Sequence, residues 1–489
     1  MNGTVMNLDA LTQREQPLFY SGEWHSASSD KTINVIDPST AEIFSTLNCA
    51  SAEDVSSAVE SATTAWKSWR DLGGKQRAFY LNKFAEGLTS RKDELMQLQM
   101  KNNGKPAFEA EIDVEDAISC FKYYATLAEN LDQQQNTAVE LPDNDFSAKT
   151  RLEPVGPVGL IVPWNFPLVT SAWKIAPALA AGCTVVMKNS EVTPLIELVY
   201  GDIAIEANLP AGVLNLVVGA AETGIALVKD QRLQKISFTG SNQVGAMIMS
   251  DVSTRTLPVS LELGGKSPIV ILKDADIDLA IEIVCAGIFF NCGQMCSATS
   301  RLIVHESIAD QVINGVVEKS KEMNIGSPNE ADIEMGPLTS EAQLKQVQKY
   351  FQMAKDDRIE CLVGGNAKQQ KGYFVEPTVY KDVPQDHPIW REEIFGPVLA
   401  TRTFTTDEEA IALSNDTHYG LVATVVSKDA EKAEYFASQI EAGHIWINAP
   451  QVIYPQTTWG GFKQSGIGRE LGPWGLNAYL GVKNITIAN

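Results

Sequence analysis

The chain has 489 residues, 44% of them hydrophobic and 8% aromatic, with 39 basic residues against 61 acidic ones for a net charge of −22. That length exceeds one ordinary core and predicts two or three domains, and the composition is that of a folded globular protein, not a disordered one. The acidic balance argues against nucleic acid and anionic membrane surfaces as partners and would mildly attract cationic substrates.

Residues 1–16 are polar, carry Asp9 and Glu15, and are expected to form a loose tail without a signal peptide. Leu18 to Val35 alternates apolar and polar residues around Gly22, which predicts a hairpin. From Ala52 to about Asn130 the spacing turns helical, with Val55, Val59, Ala62 and Trp66, then Leu81, Phe84 and Leu88, on buried stripes. Between Gln133 and Leu152, Pro142, Asp143 and Asn144 break the periodicity and the stretch reads as a linker.

Residues 158–272 alternate short β-rich runs with helical ones. Val158 to Val162, Thr184 to Met187, Val213 to Val218 and Ile236 to Thr239 read as buried parallel strands, the rhythm of a dinucleotide-binding sheet. A second α/β series starts near Gly264 and continues through an apolar helix (Ile277 to Phe290) and the strand-like runs Leu302 to His305, Leu399 to Phe404, Leu421 to Val426 and His444 to Asn448. Apolar runs such as Ile175 to Met187 are shorter than the ~20 residues needed to span a bilayer. Seven scattered cysteines give no disulfide framework, and a reducing cytoplasm is the expected location. No zinc site is expected, since Cys292 and Cys296 have no second ligand pair at suitable spacing.

Four motifs carry the chemistry. Asn291-Cys292-Gly293-Gln294-Met295-Cys296-Ser297 joins the apolar helix to a strand, and such loops hold functional groups between rigid elements. Pro163-Trp164-Asn165-Phe166-Pro167 and Glu262-Leu263-Gly264-Gly265-Lys266-Ser267-Pro268 lie upstream; Glu392-Glu393-Ile394-Phe395-Gly396-Pro397-Val398 lies downstream. Each alone has a plainer reading: a buried cysteine, a turn asparagine, a paired structural acid, a solvated acidic pair. Together and in this order they resemble the aldehyde dehydrogenase superfamily over nearly the whole chain.

The resemblance implies an α/β fold: a Rossmann-type dinucleotide-binding domain (residues 1–132 and 153–262), a second α/β catalytic domain (263–465), and a small oligomerisation β-arm (133–152 and 466–489). It implies a homodimer or homotetramer, a small aldehyde as substrate and NAD as cofactor. Cys296 is then the nucleophile, because a thiolate adds readily to a carbonyl and leaves a thioester that water can cleave. Asn165 and the Cys296 N–H would hold the oxyanion, and Glu262, a carboxylate in an apolar setting, would be the general base. Relatives that pass the acyl group to coenzyme A lack that glutamate, so a free acid is expected. Cys292 is expected to be a spectator.

The fingerprint G-x-G-x-x-G is absent, and Gly240, Ser241 and Gly245, at a strand-to-helix turn, match the family's phosphate-binding turn, which opens a helix whose Val244, Met247 and Ile248 mark a buried stripe. Lys188 and Glu191 match the adenosine-ribose site, where a carboxylate would repel a 2′-phosphate; Asn189 stands where the family usually has proline. Trp164, Glu393 and Phe395 match further cofactor positions, the last two at the nicotinamide riboside. The aldehyde tunnel maps onto Phe166, Trp173, Phe290 and Trp459, and aromatic faces suit an ammonium by cation–π attraction worth ~1–2 kcal/mol when desolvated.

The segments Cys296 to Arg301, Trp459-Gly460-Gly461 and Gly468 to Leu476 lean toward betaine-aldehyde and aminoaldehyde dehydrogenases. Phe166, Phe290 and the loop Ala449 to Thr458 depart from them. The rival readings are a dehydrogenase for apolar aliphatic or aromatic aldehydes, a cofactor-free thiol esterase, and a non-catalytic structural protein.

Overall fold

The computed structural model describes residues 11–489. The first sheet runs, from edge to edge, Gly466–Ile467, Val259–Glu262, Lys235–Thr239, Val158–Ile161, Val185–Lys188, Leu214–Val217, Leu18–Tyr20 and Glu23–His25. Its five central strands are parallel, and three of them are buried at all four residues. Continuous Val/Ile/Leu runs form such strands because helices cover both faces. The sequence reading places four of the five within a residue or so; Val259–Glu262 is an addition.

The parallel part of this sheet starts at Val158–Ile161, steps outward to Val185–Lys188 and Leu214–Val217, then returns to the other side with Lys235–Thr239. That reversal opens a crevice at the carboxyl ends of Val158–Ile161 and Lys235–Thr239, the usual ligand position in an open α/β sheet. Trp164 and Asn165 leave one of these strands and Gly240 and Ser241 the other.

The second sheet is ordered Cys361–Val363, Thr378–Tyr380, Val398–Phe404, Arg301–His305, Pro268–Ile271, Val422–Val426 and His444–Ile447. Only five residues, Leu263 to Ser267, separate Val259–Glu262 in the first sheet from Pro268–Ile271 in the second. Glu262 ends one strand at that seam, and the loop carrying Cys296 leads into the strand Arg301–His305.

Several expectations change. Of the tail expected over residues 1–16, the first ten lie outside the described residues; Leu11 and Thr12 are buried and Arg14 pairs with Asp202 at 2.6 Å, so this part is docked. The hairpin closes at Ser21-Gly22 and spans only Leu18–His25, while Thr32–Asp37 pairs instead with Glu42–Asn48. In the helix Ala52–Asp71 the buried stripe continues through Ala65 and Trp69, leaving Trp66 half-buried under Arg70. The stretch read as a linker forms the strands Thr137–Val139 and Phe146–Pro154, the latter paired over nine residues with Leu480–Ala488. Gly466–Ile467, expected in that arm, instead edges the first sheet beside Glu262. In the helix Asn242–Ser253, Val244 and Met247 face outward at 37% and 53% exposure, and the inner stripe is Gly245, Ile248 and Val252.

Arg301, fully buried, fastens the second sheet to the seam. Its guanidinium donates to the carbonyls of Lys266 at 2.8 Å, Leu413 at 2.8 Å and Ser414 at 2.9 Å, and stacks near Trp390. Burial without a carboxylate partner pushes its pKa down to about 9. Arg301→Leu would strand three carbonyls and is expected to cost about 2–4 kcal/mol, read as a lower denaturant midpoint or Tm.

Candidate active site

The helix Ile277–Phe289 ends in a tight turn in which Asn291, Cys292 and Gly293 all have positive φ, at 50°, 54° and 70°. Gly293 is required there: a Cβ would lie 2.2 Å from the carbonyl oxygen of Gly396. The turn therefore sits directly on the Phe395-Gly396-Pro397 segment. Beyond it Cys296 is partly exposed, whereas Cys292 is buried near Glu109. Burial holds the Cys296 thiol well above its usual range, and the nearby carboxylates of Glu393 and Glu262 add to this. The backbone N–H groups of Ser297 and of Cys296 itself oppose that rise.

Asn165 is brought to this loop. Its Nδ2 donates to the Gln294 carbonyl at 2.9 Å, while Asn291 Nδ2 donates to the Asn165 carbonyl at 3.0 Å. Gln294 is itself fixed, accepting from Thr339 N and donating to the Asn291 carbonyl, each at 2.9 Å.

Glu262 is 3% exposed, and neither carboxyl oxygen has a hydrogen-bond partner. Burial raises its pKa well above the ordinary range; the Glu470 carboxylate adds to this, and Lys174 and Arg469 oppose it. Lys174 and Glu470 form a buried ion pair, with Lys174 Nζ also reaching Ser237 Oγ at 3.2 Å. The sequence reading missed this pair, because its members sit on a helix and a loop far apart in the chain and meet only in the fold.

The cofactor candidates line the carboxyl ends of the first sheet. Lys188 and Glu191 pair at 2.8 Å, and Asn189 is buried with Nδ2 on the Pro194 carbonyl at 2.9 Å. Gly240 follows its strand, Ser241 caps the helix Asn242–Ser253 by accepting from Val244 N at 3.4 Å, and Gly245 packs on Leu263. Across the crevice, Glu393 Oε1 accepts from Gly265 N at 3.0 Å, and burial pushes Glu393 up to about 7. Glu392 turns away and accepts from Tyr350 OH at 2.7 Å, so the two glutamates are not a solvated pair. Phe395, at φ 59°, meets Trp164 edge to face with centroids 5.3 Å apart.

The four aromatic candidates form two pairs. Phe166 and Phe290 stack at 6.3 Å, and Trp173 and Trp459 meet edge to face at 5.5 Å. Behind them stands a feature absent from the sequence reading: Glu109, Asp113 and Asp116 on the helix Ala107–Leu131, at the i, i+4, i+7 spacing that marks one helix face. Asp113 pairs with Lys105, whose Nζ lies 3.5 Å over the Phe166 ring. Asp116 accepts from Trp173 Nε1 at 2.7 Å; Glu109 accepts from Asn291 N at 2.8 Å and leaves its other oxygen unpartnered. Burial pushes Glu109 up to about 8 and Asp116 up to about 7.

Because Glu470 raises the pKa of Glu262, Glu470→Gln is expected to lower it. An acidic limb of the rate profile set by Glu262 then moves to lower pH, as a pH series of kcat would record.

Residues 24–485 match the aldehyde dehydrogenase family. An aminoaldehyde dehydrogenase of Pisum sativum, described as peroxisomal, is 46% identical over 98% of this chain and 96% of its own length. A chloroplastic betaine aldehyde dehydrogenase of Beta vulgaris is 43% identical over 96% and 95%. Among solved structures, a betaine aldehyde dehydrogenase of Staphylococcus aureus in complex with NAD+ superposes with a TM-score of 0.95 at 36% identity, covering 98% of this chain and 96% of that one. An NAD+ complex of an aldehyde dehydrogenase from Bacillus cereus gives 0.95 at 38%, covering 98% of each. With motifs, fold and whole-length similarity in agreement, this chain belongs to the aldehyde dehydrogenase family.

Proposed function

We propose that the protein is an NAD-dependent aldehyde dehydrogenase that converts an aldehyde with a cationic end, betaine aldehyde or an ω-aminoaldehyde, into the free acid. The observation that carries this is the face of Glu109, Asp113 and Asp116 behind the aromatic pairs, with Asp116 bonded directly to Trp173. Aromatic rings over buried carboxylates favour a desolvated cation. The names of the aminoaldehyde and betaine aldehyde relatives support the same substrate class. A neutral-aldehyde preference is favoured by one feature: Lys105 already neutralises Asp113 and covers one face of Phe166.

The donor set fits a dinucleotide. Strand ends, a helix N-terminus and the half-buried Glu393 surround one crevice, and Lys188 with Glu191 would hold the adenosine ribose. When bound, NAD supplies the hydride acceptor. The rest falls to the chain's own residues. The Cys296 thiol gives up its proton, for which Glu262 is the acceptor at hand, and sulfur adds to the aldehyde carbon. The Cys296 N–H and the Asn165 amide stabilise the oxyanion. Once the adduct has become a thioester and Glu262 has passed its first proton to solvent, Glu262 takes a proton from water, which adds to the acyl carbon, and returns that proton to the departing Cys296 sulfur. A raised pKa makes Glu262 a stronger base for both transfers than an ordinary carboxylate.

All seven cysteines are free, which supports a reducing compartment, and we read that as the cytoplasm. Among the described residues no helix is long and apolar enough to cross a membrane. Val482, Ile487 and Phe146 are exposed at 73%, 48% and 47% on the three-stranded arm, and Val244 and Met247 add a second apolar patch. Both are surfaces a homodimer or homotetramer would bury, and light scattering on the purified protein decides the number of copies.

Cys296→Ala is expected to abolish aldehyde-dependent NADH formation. Glu262→Gln should lower steady-state kcat by about 10²–10⁴-fold and slow both thioester formation and its hydrolysis, as quenched-flow sampling of the enzyme-bound acyl group would show. Ionised Glu109 and Asp116 favour a cation, so kcat/KM for 4-aminobutanal should rise relative to hexanal as pH increases from about 6 to about 8. A ratio that stays flat and favours hexanal sets the neutral-aldehyde reading in its place.

A further inference from the structure

The loop Ala449 to Thr458 reaches the backbone beside the nucleophile through one side chain, Gln451. Gln451 Nε2 donates to the Ser297 carbonyl at 3.0 Å and lies 3.5 Å from the Gly287 carbonyl. Ser297 is the residue whose N–H faces the Cys296 thiol and pulls its pKa down. Gly287, near the end of the preceding helix, also accepts from Thr299 N at 2.9 Å, so its carbonyl ties that helix to the loop that presents Cys296. Gly287 leaves the room this needs: a Cβ there would lie 2.2 Å from Thr299 Oγ1 and 3.4 Å from Gln451 Nε2.

The loop bearing Gln451 is itself anchored. Trp446 Nε1 donates to the Val452 carbonyl at 2.8 Å, and Asn448 exchanges hydrogen bonds with the Ser427 backbone at 2.7 and 2.9 Å. Val452 N closes on the Pro450 carbonyl at 2.7 Å. A fixed donor therefore holds the Ser297 carbonyl, which limits rotation of the backbone that carries the Ser297 N–H to sulfur.

We propose that Gln451 is a positioning residue for the nucleophile, acting through the Ser297 backbone on the orientation and ionisation of Cys296. The proposal rests on Cys296 being the nucleophile, and its principal test reads the thiol directly, without turnover. The rate of Cys296 carbamidomethylation by iodoacetamide is followed across pH by peptide mass mapping, which separates Cys296 from the exposed Cys361. In Gln451→Leu the rate at fixed pH falls by about tenfold, and the pH of half-maximal reactivity moves upward. The values of kcat for cationic and neutral aldehydes fall by a similar factor, and the KM for NAD is unchanged.

Where the leucine variant does not fold, Gln451→Glu, of equal size, removes the donors at neutral pH and is expected to give the same loss. An unchanged alkylation profile in a variant that retains its wild-type Tm overturns the proposal. So does a KM change confined to one class of aldehyde with thiol reactivity intact, because Gln451 would then be touching substrate. If Cys296→Ala retained full activity, the nucleophile assignment would fail, whatever Gln451 does to alkylation.

Discussion

The whole arrangement depends on the five residues that carry the chain from one parallel sheet to the other. Leu263 N is held by the Ser465 carbonyl at 2.9 Å, Gly264 N by Asn242 Oδ1 at 3.2 Å and Gly265 N by Glu393 Oε1 at 3.0 Å. The Gly264 carbonyl accepts from Ser465 Oγ at 2.7 Å, and the Lys266 carbonyl accepts from Arg301 at 2.8 Å. A short span fastened from both sheets leaves little freedom between Glu262 on one side and the loop of Cys296 on the other. Groups that must work together within a few tenths of an ångström are thus placed by backbone geometry before any ligand arrives.

Low dielectric sets the charge states within that frame. Cys296, Glu262 and Glu393 are each shifted toward the neutral form chiefly by burial. Glu393 and Glu262 push the thiol further, Glu470 does the same to Glu262, and Lys266 opposes the shift of Glu393. A thiolate at Cys296 is therefore disfavoured while both carboxylates are ionised, and charge becomes available there when something positive enters or a proton is handed on.

What could be read in the sequence follows from how locally each feature is encoded. The buried strands show themselves as short Val/Ile/Leu runs because a strand covered on both faces needs no other information. Glu262, Asn165 and Cys296 are visible only as motifs, since a single acid, amide or thiol has no local signature. The carboxylates at Glu109, Asp113 and Asp116 were passed over for a different reason. Their i, i+4, i+7 spacing coincides with the apolar stripe of the same helix, and an acidic residue on a core-facing side is legible only once its partners Asn291, Lys105 and Trp173 are in place. Val244 and Met247 erred in the opposite sense. An apolar period of three and four says that a face is hydrophobic, not that this chain alone covers it.

The pairing of Phe146–Pro154 with Leu480–Ala488 has a consequence for the order of folding. Every strand of the second sheet lies between these two in the chain, so the ladder is among the most non-local contacts of the molecule. Loop-closure entropy opposes it until that sheet has collapsed and brought its ends together. Until then Phe146–Pro154 offers an open edge, and its closure belongs to the late, slow part of folding.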